Sequence, residues 1–492
     1  MDNLHEHIRS IRRSTPNGPG YFIFPIGDLR QFWTKDKVDK LVGYRPLQDH
    51  EFKFLQDNLL RTLSLLIYIK EHPARVGALI DSFIRSGRDI DQILHLEENE
   101  FKSFVELILG DKEQHFFDVR PWFTALILKE GKDMNLEGIQ GLPLIGNELE
   151  LGSGMNGVVK GYDIAPGHLL TKNGSSAPET LVAVKTLHRT DAETEIRILR
   201  ALRERLHDRD IQICACIMTV KEGDQVHSLS RRARGGNLRR KLEELQGQGF
   251  DRRSFIASMQ QMKGIVGAIE FLHNTESNGP NTCYCHMDIK PDNILVFKES
   301  PGSTEERWQL IDFGITTISD MGETSTRGGA RDESNSRHIT ITVGTAINAI
   351  ASRYQPPEII DNMKKLDLGE SGNYMGRGSD IWSFACVFAE VVAANLGELN
   401  KLQSDINRFY EENEGLSFYK EIYARISKSK YRRHREFESW LKGLVEHGKR
   451  DPALKECYGL IEKMTHIERI KRLKSQQVLK RLNKSPTFGG ER

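Results

Sequence analysis

The 492-residue chain predicts an α+β fold, in which a β-rich lobe and then a helical lobe follow an α-helical N-terminal extension. Three observations predict it. Apolar residues recur at helical spacing upstream of residue 141, with no catalytic signature among them. From residue 149 the pattern becomes strand, glycine turn, strand and lysine. Farther on, helical character returns, and its longest apolar run, Trp382 to Leu396, contains Glu390 and reads as a buried helix.

The extension comes first. Asn17-Gly18-Pro19-Gly20 is a turn or flexible segment, and Tyr21 to Ile26 is a short apolar patch suited to docking on another part of the chain. Phe52, Leu55, Leu59, Leu63 and Leu66 share one helical face until Pro73 interrupts. Val76, Leu79, Ile80, Phe83 and Ile84 repeat the spacing until Gly87, and Phe101, Phe104, Val105 and Ile108 form a third stripe. Such helices make either a plain scaffold or a partner-binding or autoinhibitory layer, and Gly138, Gly141 and Gly146 mark its end.

The β-rich part opens on Leu151-Gly152-Ser153-Gly154-Met155-Asn156-Gly157-Val158-Val159. Glycines let backbone amides fold over phosphate without a Cβ in the way. A second β run, Leu181 to Lys185, arrives before any helix, whereas in a dinucleotide-binding unit the glycine turn opens a helix. The connection Ala165 to Thr180 is longer than a hairpin turn and is expected to be mobile.

The strongest signal is His286-Met287-Asp288-Ile289-Lys290-Pro291-Asp292-Asn293, followed by Asp312-Phe313-Gly314. With four fixed positions at about 5% each, H-x-D-x-K-x-x-N arises by chance about three times in a thousand chains of this length, which makes coincidence a poor explanation. It supplies an acid to take a proton, a lysine to meet phosphate, and an Asn and Asp to hold a divalent cation. Those are the parts of phosphoryl transfer, which needs positioning and charge neutralisation more than covalent help.

In these residues, from 146 to about 482, the chain resembles the eukaryotic-type protein kinase family. The resemblance implies the bilobal protein-kinase fold, with ATP and Mg²⁺ as cofactors. It makes Asp288 the catalytic base, Lys290 the residue that steadies the transferred phosphoryl group, and Asn293 and Asp312 the Mg²⁺ ligands. Gly152, Ser153, Gly154 and Gly157 cover the phosphates. Lys185 contacts them and pairs with a helix glutamate, for which Glu195 fits better than Glu193. Val159, Ala183 and Leu295 face the adenine, with Ser230 near the gatekeeper and Arg231 to Ala233 in the hinge.

Lysine two places after the Asp matches serine/threonine kinases, so the implied partner is a protein substrate with a Ser or Thr acceptor. Pro356-Pro357-Glu358, Asp380-Ile381-Trp382-Ser383 and Arg472 resemble late elements of protein kinases, with Glu358 and Arg472 forming a structural bridge. Layout and motif spelling resemble kinases of filamentous fungi that carry such an extension. Two departures stand out. Ala351, beside Ser352, replaces the usual Thr, and Met287 replaces the Arg that loop phosphorylation neutralises. Met287 marks a non-RD kinase, controlled less by phosphorylation at Thr324, Ser325, Thr326, Ser334, Ser336, Thr340, Thr342 or Thr345 than by its extension or a regulatory partner there. The alternative reading is a pseudokinase scaffold.

The expected domains are an extension at 1–140, an N-lobe at 146–230, a C-lobe at 231–482 and a flexible tail at 483–492. A net charge of +1 gives no pull toward nucleic acid or membrane, and no apolar run reaches the ~18 residues of a membrane span. No secretory signal is read at the start, so the cytoplasm or nucleus is the expected setting. Two C-x-C pairs, Cys214/Cys216 and Cys283/Cys285, lie in strand-like runs and read as buried hydrophobes before zinc ligands. The basic runs Arg231 to Lys241 and Lys428 to Arg435 read as solvated faces.

Overall fold

The computed structural model describes residues 2–16, 21–43, 45–69, 71–87, 89–91, 94, 113–154, 157–177, 181–206, 209–274, 282–300, 303, 305–313, 317–320, 353–359, 376–408, 419–420, 432–449, 451–485 and 488. The chain forms two compact units, one of Met1–Ile196 with Cys216–Arg232, the other of Arg197–Ala215 with Ala233–Arg492.

The first unit begins with helices α1 (Asp2–Ile11), α2 (Ile26–Phe32), α3 (Lys35–Val42), α4 (Asp49–Asn58), α5 (Leu60–Tyr68), α6 (Pro73–Ser86) and α7 (Glu113–Val119). The stripe expected to be continuous from Phe52 to Leu66 is two helices. Leu59, at φ −135, caps α4 and opens α5. Asp91 supplies the missing cap, accepting from the Arg61 and Thr62 amides at 2.8 Å each. Every residue of α5 is buried, and Trp33 donates to Ser64 at 2.9 Å inside this core. Pro73 starts α6 at its first turn, where its missing N–H costs nothing, and Gly87 ends it at φ 64. The third stripe, Phe101 to Ile108, lies outside the described residues, as do Asn17 to Gly20.

The apolar patch from Tyr21 to Ile26 docks. Strand β1 (Arg13–Ser14) pairs with β2 (Phe22–Ile23), and Phe24 stacks on Phe123 at 4.1 Å. The rest of the unit is a sheet ordered β4-β9-β10-β8-β6-β5: β4 (Met134–Asn135), β5 (Leu144–Gly154), β6 (Gly157–Ile164), β8 (Leu181–His188), β9 (Cys216–Glu222) and β10 (Gln225–Arg231). Strand β4, upstream of the expected boundary at Gly138 to Gly146, joins the sheet edge by pairing parallel with β9. Leu126 and Leu128 sit in one core with Val182, Met218 and Leu229. The extension and the sheet therefore share a unit.

The start of the connection expected to be mobile, Ala165 to Leu170, is packed instead. Its strand β7 (Leu169–Leu170) pairs parallel with β3 (Leu128–Lys129), and Ala165, Gly167 and His168 are buried. His168 accepts from the Ile26 amide (3.1 Å) and donates to the Leu126 carbonyl (3.0 Å). Burial, with the Arg61 charge, pushes its pKa down to about 3, so the ring is neutral. The Gly27 amide donates to the Pro166 carbonyl at 2.9 Å, and a Cβ on Gly167, at φ +78, would stand 2.5 Å from the Gly27 nitrogen. Two glycines let the backbones touch.

The second unit is mainly helical: α9 (Leu238–Gln248), α10 (Arg252–Asn274), α11 (Arg377–Asn395), α12 (Leu399–Arg408), α13 (Arg435–His447), α14 (Pro452–Met464) and α15 (Ser475–Lys484). Helix α8 (Arg189–Arg205) carries the boundary at 196/197. As the apolar run from Trp382 predicts, α11 is buried from Ser379 to Asn395, Glu390 included. Two short antiparallel pairs, β11 (Thr282–Cys285) with β14 (Thr317–Asp320) and β12 (Ile294–Lys298) with β13 (Glu306–Leu310), flank the motif residues. The tail expected to be flexible has a fixed point: Phe488 is fully buried, its ring 6.4 Å from Phe255.

Candidate active site

In the first unit, the expected nucleotide loop closes a hairpin in which Gly152 pairs with Val159, Ser153 with Val158 and Gly154 with Gly157. The glycines differ in why they are glycine. A Cβ on Gly157, at φ +127, would lie 2.4 Å from the Thr186 carbonyl oxygen, so the fold itself demands it. A Cβ on Gly152 would meet nothing within 4 Å, which leaves that face open to a ligand's approach. Val159 pairs with Lys185 across β6 and β8, and the buried Ala183 lies two residues back on β8. Lys185 donates to Glu195 at 2.7 Å, and Glu195 is buried while Glu193 is exposed, which decides between the two glutamates. Met155 and Asn156 lie outside the described residues. Ser230 pairs with Ala183, and the expected hinge, Arg231 to Ala233, spans the chain boundary between the units at 232/233.

In the second unit, the catalytic motif is held from three sides. Asp380, in the first turn of α11, accepts from the amides of His286 (2.9 Å) and Met287 (2.8 Å) and from His273 Nε2 (2.9 Å). His286 Nε2 donates to the Ile311 carbonyl at 2.8 Å. Gln355 Nε2 donates to the Met287 carbonyl at 2.5 Å. Between these anchors Met287 adopts φ 67, a left-handed conformation in a buried non-glycine residue. Such strain persists only where surrounding contacts impose it.

Asp288 follows, buried at 7% exposure. Its Oδ2 accepts from Lys290 Nζ (2.7 Å) and Asn293 Nδ2 (2.8 Å). Its Oδ1 is buried and has no hydrogen-bond partner among the described residues. One oxygen is thus held and the other is available to a proton donor. Burial raises the carboxyl above its ordinary value, with Lys290 opposing the rise and Asp312 adding to it.

Asn293 also donates to the Asp288 carbonyl (2.9 Å), and the Ile311 amide donates to the Asn293 carbonyl (3.0 Å), bringing the segment of Asp312 beside the turn. Asp312 sits at φ 64. An amide oxygen and a carboxylate are the hard donors that Mg²⁺ takes, so this pair fits the ion. Leu295, half-buried on β12, pairs with Gln309 and bridges to Asn237. Gly314 lies outside the described residues.

The late elements lock the segment after the loop. Arg472 grips Glu358 with two bonds, 2.5 and 2.8 Å, its own side chain 1% exposed. Ser383 donates to the Tyr354 carbonyl (2.9 Å), and Glu390 accepts from Tyr354 (2.8 Å) and Arg353 (2.5 Å). Ala351, Ser352 and the eight loop hydroxyls lie outside the described residues.

The cysteines act as packing. Cys214, Cys216 and Cys285 are buried thiols. Cys285 lies with His273 and Asp380, but both Asp380 oxygens are already hydrogen-bonded, so the cluster reads as structure. The basic run needs correction: Arg239 forms a two-pronged pair with Asp292 and Lys241 a 2.7 Å pair with Glu306, so these are engaged side chains. Of the second basic run, residues 428–431 lie outside the described residues, and Arg433 is half-buried and donates to the Glu462 carbonyl at 3.3 Å. Asp292, Arg239 and Gln355 were missed as site residues; only the position of Asp292 inside the motif signalled any of them. No helix among the described residues is long and apolar enough to cross a membrane.

The protein kinase domain family matches residues 149–482, and the chain belongs to that family. Among similar proteins is the serine/threonine-protein kinase ksg1 of Schizosaccharomyces pombe, 28% identical over 133 residues, which is 26% of this chain and 17% of that protein. Cyclin-dependent kinase 1 of Encephalitozoon cuniculi is 27% identical over 158 residues, 32% of this chain and 38% of that one. The chain thus spans well under half the length of either relative.

Proposed function

We propose that this chain is a protein serine/threonine kinase that transfers the γ-phosphoryl group of ATP to a hydroxyl of another protein. The carrying observation is the division of labour at Asp288: Oδ2 is held by Lys290 and Asn293, while Oδ1 is unpartnered among the described residues. An acceptor Ser or Thr meeting Oδ1 would give up its proton there as its oxygen attacks phosphorus. Lys290, at 2.7 Å from the same carboxylate, is placed to follow the transferred group's negative charge. In the other unit the Lys185–Glu195 pair orients a cation for phosphate. Asn293 and Asp312 would hold Mg²⁺, which supplies charge neutralisation of the phosphates when bound.

We propose further that the enzyme works in signalling without needing its loop phosphorylated. Met287 brings no cation for a phosphate to neutralise, and Gln355 and Asp380 fix the catalytic turn by uncharged and in-chain contacts. For the extension, its shared core with the sheet supports a bracing role over a detachable inhibitor.

Incubating the 492-residue chain with γ-labelled ATP and Ser, Thr and Tyr peptides tests the reading. Label is expected on Ser and Thr, with Asp288→Asn slower by about 10²–10⁴, the usual cost of losing a general base. Equal labelling by the two proteins would leave a kinase-fold scaffold.

A further inference from the structure

We infer that Arg239 is a specificity-determining residue that closes the acidic position beside the catalytic base, so that the enzyme disfavours acceptor sites flanked by Arg or Lys. The inference rests on the kinase reading above and names its substrate class.

Asp292 belongs to the same turn, Pro291–Asn293, as the residue that holds the base. It lies four residues after Asp288, a reach of at most about 14 Å even in extended chain and less in a turn. A substrate that delivers a hydroxyl to Asp288 Oδ1 therefore passes Asp292 within a few of its own residues. The Asp292 side chain is 37% exposed, so it borders solvent. A bare carboxylate there would take a substrate guanidinium or ammonium by a charge-assisted bond.

It is not bare. Arg239 Nε donates to Oδ1 at 2.8 Å and Nη2 to Oδ2 at 2.6 Å, occupying both oxygens. Arg239 is not a loose surface residue that happened to reach. Asn237 caps α9 by accepting from the Arg240 amide (3.2 Å), and the Gly235 and Val296 amides tie the lead into α9 to β12, just past Asn293. Both partners are thus fixed to the same short stretch of backbone. A cationic substrate residue would have to displace a two-pronged pair and meet the displaced guanidinium.

The neighbouring acid follows the same rule. Glu390, fully buried, accepts from Arg353, Tyr354 and Gln403, and Arg239 itself meets Tyr354. Both acids beside the post-loop segment and the catalytic turn are satisfied from inside the chain.

The test uses the 492-residue chain and three peptides that differ only beside the Ser acceptor, with Arg, Ala or Glu there. Wild type is expected to show an Arg/Ala ratio of kcat/KM at or below one. Arg239→Ala and the size-preserving Arg239→Gln expose Asp292 and should raise that ratio about tenfold. Adding Asp292→Ala returns it to the wild-type value. Asp292→Asn, which leaves the arginine unopposed, should raise the Glu/Ala ratio. Each ratio is internal to one variant, so a general loss of activity divides out, and a merely structural role moves none of them. A wild type that prefers the Arg peptide, or active variants with unmoved ratios, overturns the inference alone. No transfer above the Asp288→Asn level to any peptide overturns the kinase reading and the inference with it.

Discussion

At Asp288 the two carboxylate oxygens have different surroundings, Oδ2 held by Lys290 and Asn293 and Oδ1 without a partner among the described residues, and the proposed proton transfer inherits its pH dependence from them. The folded pKa of Asp288 is raised above 3.8, burial first, Asp312 adding and Lys290 and His286 opposing. The folded state thus holds this proton more tightly than the unfolded chain, so the ionised group costs stability once pH passes the folded value. Catalysis requires that ionised form. The acid limb of kcat/KM is therefore expected above the ordinary carboxylate value, and Lys290→Ala should push it higher by removing an opposing charge. A pH profile whose acid limb lies at or below 3.8 contradicts this. Asp288, Lys290, Asn293 and Asp312 were legible because one local chain segment and one short hairpin fix their order. Gln355 was not, because it reaches the Met287 carbonyl across 68 residues and glutamine carries no spacing signal. Arg239 looked like one charge in a basic run, since a sequence does not reveal which charges face a carboxylate.

At the scale of elements, periodicity found the helices and missed their junctions. The stripe from Phe52 to Leu66 gave the buried face correctly, but the break at Leu59 depends on Asp91, a cap contributed from 30 residues away. The segment after Ala165 read as a loose loop because its polar tip, Asn173 to Ser176, resembles one. Its start is held by contacts that no local pattern shows: His168 with Ile26, and Gly167 against Gly27. Gly167→Val forces a β-branched residue into φ +78 against the Gly27 backbone, which should cost at least about 2 kcal/mol. Deleting residues 1–140 goes further, stripping β4 from the sheet and Leu126 and Leu128 from its core. Thermal melting should show Gly167→Val lowered and the deletion unable to fold its first unit. A deletion variant that melts like wild type would make the extension a removable layer.

At the scale of the whole molecule, each unit carries part of the proposed chemistry: Lys185 and Glu195 in the first, the proposed base Asp288 and the proposed metal ligands Asn293 and Asp312 in the second. The second unit sets its catalytic turn by contacts internal to the chain. Asp380 and Gln355 impose the left-handed Met287, and Arg472 and Glu390 pin the residues after the loop. None of these anchors is a phosphate. The class of protein was legible from motif order alone, while the placement of the extension was not, because it depends on backbone approach and a neutral buried histidine. The most direct measurement is the rate of phosphoryl transfer by the 492-residue chain after phosphatase treatment, with the loop hydroxyls verified as unmodified by mass spectrometry. Our account predicts transfer to serine peptides at the untreated rate, slowed about 10²–10⁴-fold by Asp288→Asn. An enzyme silenced by phosphatase and restored by loop phosphorylation would contradict it.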